Sequence, residues 1–285
     1  MRSDLHEANR RSWNAATRAH NSHKGDQTRL FREGSDTLHR EELELLGELR
    51  GKRVVHLQCN SGQDSLSLAL LGASVTGVDI SDTAIEFARE LSAASGISAS
   101  FERADVHDWL ARATERYDIV FSSYGAVWWL SDLECWAAGI AGVLTPGGHL
   151  VMVDFHPVWL MLDDDWTLHY PYSGFGGHSV IENSQGVGDY VAFELRQRDP
   201  SQPLPGVQDF RNPFPAYEFC WGIGDLVTAL LSAGLHLEAP REYSASPYPL
   251  RPGMRRIGDR WYPPESVPPI PLLLGIRAHR SPVAH

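Results

Sequence analysis

The chain has 285 residues, 42% of them hydrophobic, enough to bury the core of one large domain or of a domain with an insertion. Its 25 basic and 36 acidic residues leave a formal net charge of −11, which argues against nucleic acid and anionic membrane surfaces as partners and favours a small neutral or cationic ligand. The three cysteines, Cys59, Cys135 and Cys220, show neither paired nor zinc-type spacing, so the expected setting is a reducing cytoplasm.

The opening MRSDLHEANRR has no apolar leader-like run, and no later apolar stretch approaches membrane-spanning length. Residues 4–20 and 36–49 read as helices, with Asp36 a candidate N-cap. From residue 52 the pattern alternates. A strand over 53–58 meets a helix over 63–71; a strand over 74–79 meets a helix over 81–95, bracketed by Ser81 and Gly96. A strand over 97–105 precedes a short helix around Trp109. A strand over 117–123, a helix over 132–144 and a strand over 149–155 follow, with Pro146-Gly147-Gly148 as the turn before the last. Strands alternating with helices imply a mostly parallel, Rossmann-like α/β sheet covered on both faces.

Prolines gather in the second half, and residues 156–216 break the rhythm with aromatics, Gly174, Gly176 and Gly177. A helix over 222–234 and strands over 235–244 and 271–279 restore it. The expected organisation is a helical cap (1–50), a Rossmann-like core (51–155), a lid insertion (156–216) and a segment completing a seven-stranded sheet (217–285). Ligands in such folds bind at the carboxyl ends of the strands.

The stretch Val54-Val55-His56-Leu57-Gln58-Cys59-Asn60-Ser61-Gly62 is a strand running into a loop with one glycine. A pyrophosphate needs closer backbone approach than Gln58 and Asn60 permit. Asp79, 17 residues after Gly62, ends the second strand, where a carboxylate accepts from ribose hydroxyls. Asp105 and Val106 end the third, suited to an adenine amino group and ring face, with Asp108 close by. These parts describe an adenosine site whose ligand carries an amino-acid tail rather than a pyrophosphate.

In this position VVHLQCNSG resembles the first motif of class I S-adenosylmethionine (SAM)-dependent methyltransferases. NRRSWNAATRAH, HLQCNSGQDSLSLALLGASVTGVDIS, RADVHDW, YDIVFSSYGAVWWL, LTPGGHLVMVDFHP, YEF with the GIGDLVTALLSAGL that follows it, and SPY near residue 247 resemble a bacterial branch with an HLQC-type motif and small-molecule, natural-product tailoring members. The resemblance implies cofactor contacts from Gln58, Cys59, Asn60 and Gly62, from Asp79 and Ile80 around the ribose and adenine, from Asp105 and Val106 at the adenine, and from Ser122 near the methyl donor. It brings Trp13 and His20 over the cofactor, and it implies S-adenosylhomocysteine as the spent product. The branch usually has a histidine and an aromatic residue where this chain has Asn60 and Ser61, and often a histidine at Trp221, which points to an unusual acceptor.

Trp128, Trp129, Trp159, Trp166, Tyr172 and Trp221, with Ser123, are the acceptor-side candidates, since indole and phenol faces hold flat or cationic ligands. His156, Tyr124, Glu218 and Asp154 are candidate bases or orienting groups. No metal-ligand constellation stands out, so no metal is expected. The favoured activity is N-methylation of a small aromatic or alkaloid-like amine in secondary metabolism, by a monomer or homodimer. O- or C-methylation of an aromatic metabolite is the alternative, and a non-catalytic SAM-binding protein is the different class. A short-chain dehydrogenase is excluded because its Tyr-x-x-x-Lys pair is missing: the only lysines, Lys24 and Lys52, precede the fourth strand.

Overall fold

The computed structural model describes residues 1–175 and 180–282, which leaves Gly176 and Gly177 outside. The chain opens with α1 (Ser3–His23), α2 (Gln27–Arg32) and α3 (Arg40–Leu46). α2 is too short to show a period; Asp26 caps it by accepting from Arg29 N. α3 starts later than the sequence pattern indicates. Its cap is His39, whose backbone N–H is taken by the Glu42 carboxylate at 2.6 Å, while Asp36 accepts from Leu38 N in the loop before it.

The core then alternates as β1 (Arg53–Leu57), α4 (Gln63–Leu70), β2 (Ser74–Asp79), α5 (Asp82–Ser95), β3 (Ser100–Arg103), α6 (Val106–Arg112), β4 (Tyr117–Ser123), α7 (Leu133–Val143) and β5 (Leu144–Phe155). Ser81 caps α5 by accepting from Ala84 N at 3.1 Å, and Gly96 ends it at φ 77°. The expected turn at Pro146-Gly147-Gly148 is instead absorbed into β5. Pairing with β4 jumps from Tyr117↔Leu144 to Ile119↔His149, a bulge that accommodates a proline with no N–H to give.

After β5 come α8 (Pro157–Leu160), β6 (Val180–Asn183), α9 (Tyr190–Arg198), β7 (Ala216–Phe219), α10 (Ile223–Ser232), β8 (Leu235–Leu237), β9 (Arg241–Tyr243), β10 (Arg255–Ile257), β11 (Arg260–Tyr262) and β12 (Leu273–Arg280). The main sheet runs β3-β2-β1-β4-β5-β12-β8, with β9 also paired to β12, which makes eight strands rather than seven. β1 to β5 are parallel and β12 is antiparallel to its neighbours. The extra strand arises because the strand expected over 235–244 breaks before Pro240. β8 then pairs with Ala278–Arg280 and β9 with Leu273–Gly275.

Trp109, Trp136, Ile140 and Leu230 cover one sheet face, and Leu45, Leu46 and Leu68 the other. The continuous apolar run of β1 is therefore buried on both sides, as central parallel strands require. Gly62 shows how tightly the layers meet. It sits at φ 79°, and a Cβ there would lie 2.7 Å from Ala88 Cβ and 2.8 Å from the Phe101 ring. Among the described residues, no helix is long and apolar enough to cross a membrane. Strand order reverses between β1 and β4, so their carboxyl ends diverge and leave a crevice.

Candidate functional site

A cavity of about 810 Å³ fills that crevice. Its floor is the loop after β1 and the ends of β2, β3 and β4. α1, α9 and residues 248–250 complete the wall. Gln58 and Asn60 adopt positive φ angles of 55° and 48°, so at these two positions the loop makes without glycine a turn that a glycine-rich loop makes with it. Asp79 lines the cavity and holds the loop in place. Its carboxylate accepts from Asn60 N and Ser81 N, both at 2.8 Å. Two oxygens have four acceptor positions, so capacity remains for a ligand's hydroxyls. Burial pushes Asp79 up to about 6, against the pull of these N–H groups.

Asp105 also lines the cavity, but its carboxylate already has a structural task. It takes His6 Nδ1 at 2.6 Å and His107 N at 2.8 Å. Burial would raise it, but hydrogen bonds from His107 and His6 outweigh that and hold it well below the usual carboxylate range. His6, Asp105 and His107 gather within 4.8 Å, a grouping that sequence reading missed because the two histidines lie far apart in the chain. Their outer nitrogens are occupied: His6 Nε2 accepts from Ser131 N, and His107 Nε2 faces Asp132 O. The grouping is a hydrogen-bonded bridge that seats the start of α1 on α6.

Trp13, Gln58, Cys59, Asn60, Ile80 and Val106 join the two carboxylates in the wall, as do Ser123, Tyr124, Trp128, Trp129, Trp159 and Glu218 further along. The cradle fits an adenosyl ligand: carboxylates at two strand tips, apolar Ile80 and Val106 beside them, and a buried Gln58 Oε1 with no partner.

Several expected contacts are corrected. Gly62 is outside the wall; its glycine serves packing against α5 and β3. Ser122 is buried behind the wall, because successive strand side chains point to opposite faces and Ser123 takes the cavity side. His20 is covered by α9: its Nε2 faces Gly188 O at 2.9 Å, and its ring lies 4.1 Å from that of Tyr190. His156 does not reach the cavity, since Nδ1 accepts from Val158 N to cap α8 and Nε2 meets Glu242 at 2.9 Å. Asp154 accepts from the backbone N–H groups of Gly125, Ala126, Val127 and Phe155, which leaves it no role as a base. Trp166 turns away to donate to Pro252 O, Tyr172 accepts from Ile223 N at the start of α10, and Trp221 donates to Leu130 O behind the loop. The three are scaffold, because their polar edges satisfy backbone groups that no helix or strand pairs.

Residues 54–148 match a protein-family model described as "Methyltransferase domain". That match covers a third of the chain. Outside it, likeness is to fold. An S-adenosylmethionine-dependent methyltransferase from Mesorhizobium loti superposes with a TM-score of 0.52 at 19% identity, covering 83% of this chain and 94% of that one. The DhpI–SAH complex gives 0.53 at 16% identity, covering 98% of each. By sequence, a ubiquinone biosynthesis O-methyltransferase of Bordetella pertussis is 35% identical over 77 residues, 27% of this chain and 32% of that protein. The chain thus spans about a third of the length of that curated relative.

Beyond residues 54–148 lie further cavity residues to which the sequence reading gave no role. Tyr190, Phe193, Glu194 and Arg198 come from α9, Tyr248 and Leu250 from a proline-flanked loop, and Lys24, Gln27 and His39 from the helices before β1. His39 Nε2 meets Tyr248 OH at 2.9 Å, and burial pushes that imidazole down to about 4, which keeps it neutral. The SPY stretch, which ends at Tyr248, was a signal that could have pointed to part of this set.

Proposed function

We propose that the chain transfers a methyl group from S-adenosylmethionine to the amine nitrogen of a small aromatic or alkaloid-like acceptor. One observation carries this reading: the composition of the cavity wall. Six carboxylates (Asp36, Asp64, Asp79, Asp105, Glu194, Glu218) face two cations (Lys24, Arg198), and Tyr124, Trp128, Phe155 and Trp159 form an aromatic end. Such a wall attracts positive charge, and each ring–cation contact contributes roughly 0.5–2 kcal/mol. A sulfonium donor and an ammonium acceptor are both cations.

Bound SAM would supply a methyl group on a good leaving group, so the protein's work is alignment, up to roughly 7–11 kcal/mol of the barrier. Asp79 and the loop from Gln58 to Asn60 would fix the adenosyl half. The amine must lose its proton before attack. Glu218 lines the cavity and burial raises its pKa, so it is the group to accept that proton. Tyr124 cannot: burial holds its phenol far above its ordinary value, so it remains protonated.

O-methylation is the second reading, favoured by the name of the Bordetella relative. Incubation with SAM and matched sets of indoles, amines and phenols, followed by mass spectrometry for one added methyl group, separates the two. Turnover of phenols with inert amines would replace the first reading by the second. Binding without turnover of any acceptor would leave a SAM-binding protein.

A further inference from the structure

The SPY stretch, Ser246-Pro247-Tyr248, is tied by each of its residues to a different element. Buried Ser246 pairs with Trp261 of β11 through two backbone hydrogen bonds, Ser246 N to Trp261 O at 2.9 Å and Trp261 N to Ser246 O at 2.8 Å. Its hydroxyl accepts from Tyr248 N at 3.0 Å. Pro247 O accepts from the Arg198 guanidinium of α9 at 3.1 Å. Tyr248 OH meets Nε2 of His39, the cap of α3, at 2.9 Å. Pro247 before the tyrosine and Pro249 after it restrict the backbone further.

This scaffolding holds a phenol in the cavity wall. The Tyr248 ring lies 5.3 Å from that of Tyr124, which ends β4 and lies 6.0 Å from the ring of Phe155 at the end of β5. Asp79 and Asp105 follow β2 and β3, on the far side of β1. Tyr248 therefore stands at the aromatic end and not at the adenosyl end. Among the described residues, His39 is the phenol's only hydrogen-bond partner. A phenol oxygen offers one hydrogen and two lone pairs. Whichever of the two residues donates, at least one lone pair is left for a ligand. Burial holds the phenol far above its ordinary value, so it keeps its proton and is a hydrogen-bond partner, not a base.

We propose that Tyr248, anchored by His39, accepts a hydrogen bond from the nitrogen or oxygen that receives the methyl group, and so selects acceptors in which that atom still bears hydrogen. The assignment deepens the methyl-transfer reading and rests on it. Holding that hydrogen fixes the direction of the atom's lone pair, as in-line transfer requires.

Calorimetry on S-adenosylhomocysteine-loaded protein tests this with two ligand pairs. Tryptamine and N,N,N-trimethyltryptammonium are both cations, and only the first has N–H on its amine. 5-Hydroxyindole and 5-methoxyindole differ in the phenolic hydrogen. If the acceptor is an amine, Tyr248→Phe weakens tryptamine at least about tenfold and leaves the trimethyl analogue unchanged. If it is a phenol, Tyr248→Phe weakens 5-hydroxyindole at least about threefold and leaves the methyl ether unchanged. Unchanged S-adenosylhomocysteine affinity in the variant certifies its fold. The proposal is overturned if the variant keeps the wild-type ratio within both pairs, even with a lowered thermal midpoint, since the phenol is then scaffold alone. Wild-type protein that binds S-adenosylhomocysteine but none of the four probes overturns it as well. Wild-type protein that does not bind S-adenosylhomocysteine overturns the methyl-transfer reading itself.

Discussion

Asp79 has two tasks, bracing the loop after β1 and facing the cavity, and its burial links both to pH. Its folded pKa, about 6, is above the ordinary value, so the carboxylate burdens the empty fold increasingly as pH rises through about 6. Ribose hydroxyls would donate to that ionised form. S-adenosylhomocysteine affinity should therefore be highest above about pH 7 and decline as pH falls through 6, whereas Asp79→Asn should bind more weakly with a flatter pH dependence. Glu218→Gln should lower kcat by about a hundredfold with little change in cofactor affinity, since general-base contributions run roughly 10²–10⁴; an unchanged kcat would remove Glu218 from the mechanism. Asp79, Asp105 and the loop were legible in sequence because a strand tip dictates which way its last side chain points. His156 and Asp154 misled for the same reason: both sit at a strand tip, but neighbouring backbone N–H groups claimed them first.

At the scale of elements, α1 is a cavity wall tied down at its start by the His6–Asp105–His107 bridge and braced along its length by Asn14 to Asp82 at 3.0 Å. His6→Ala should cost about 1.5–3 kcal/mol of stability, the range for a hydrogen bond to a charged group, and weaken S-adenosylhomocysteine; denaturant titration and calorimetry read the two effects. α3 carries the opposite kind of charge. Glu42 is buried, one oxygen caps His39 N and the other has no partner, and burial raises its pKa well above the ordinary value. A raised folded pKa means stability is full at low pH and is lost as pH rises through that value. Glu42→Gln keeps an acceptor for the cap without the charge, so its thermal midpoint should gain on wild type more at pH 8 than at pH 5. Elements such as α5 and β2 were read almost to the residue because cap, period and stop agree. α2 and the β10–β11 hairpin escaped because segments of three to six residues carry too little pattern.

Over the whole molecule, the cavity is roofed by pieces distant in sequence: α1, α9 and the 248–250 loop. Of the expected lid over 156–216, α9 and Trp159 reach the cavity, while the Trp166 and Tyr172 region packs elsewhere, a distinction invisible in a run of aromatics. A ligand roofed on three sides should slow amide exchange in α1 and α9 when S-adenosylhomocysteine binds, with little change in β10 and β11; equal protection everywhere would mean a general stabilisation instead. Asp154 has a consequence of its own. One carboxylate grips the three consecutive amides of Gly125, Ala126 and Val127 along with that of Phe155, so the path of the loop from Gly125 to Val127 is borrowed from the sheet and does not depend on which rings follow it. Exchanging Trp128 or Trp129 for other side chains can therefore reshape the chamber while its frame stays put, which makes these two positions natural dials for acceptor choice in a laboratory library or in descent.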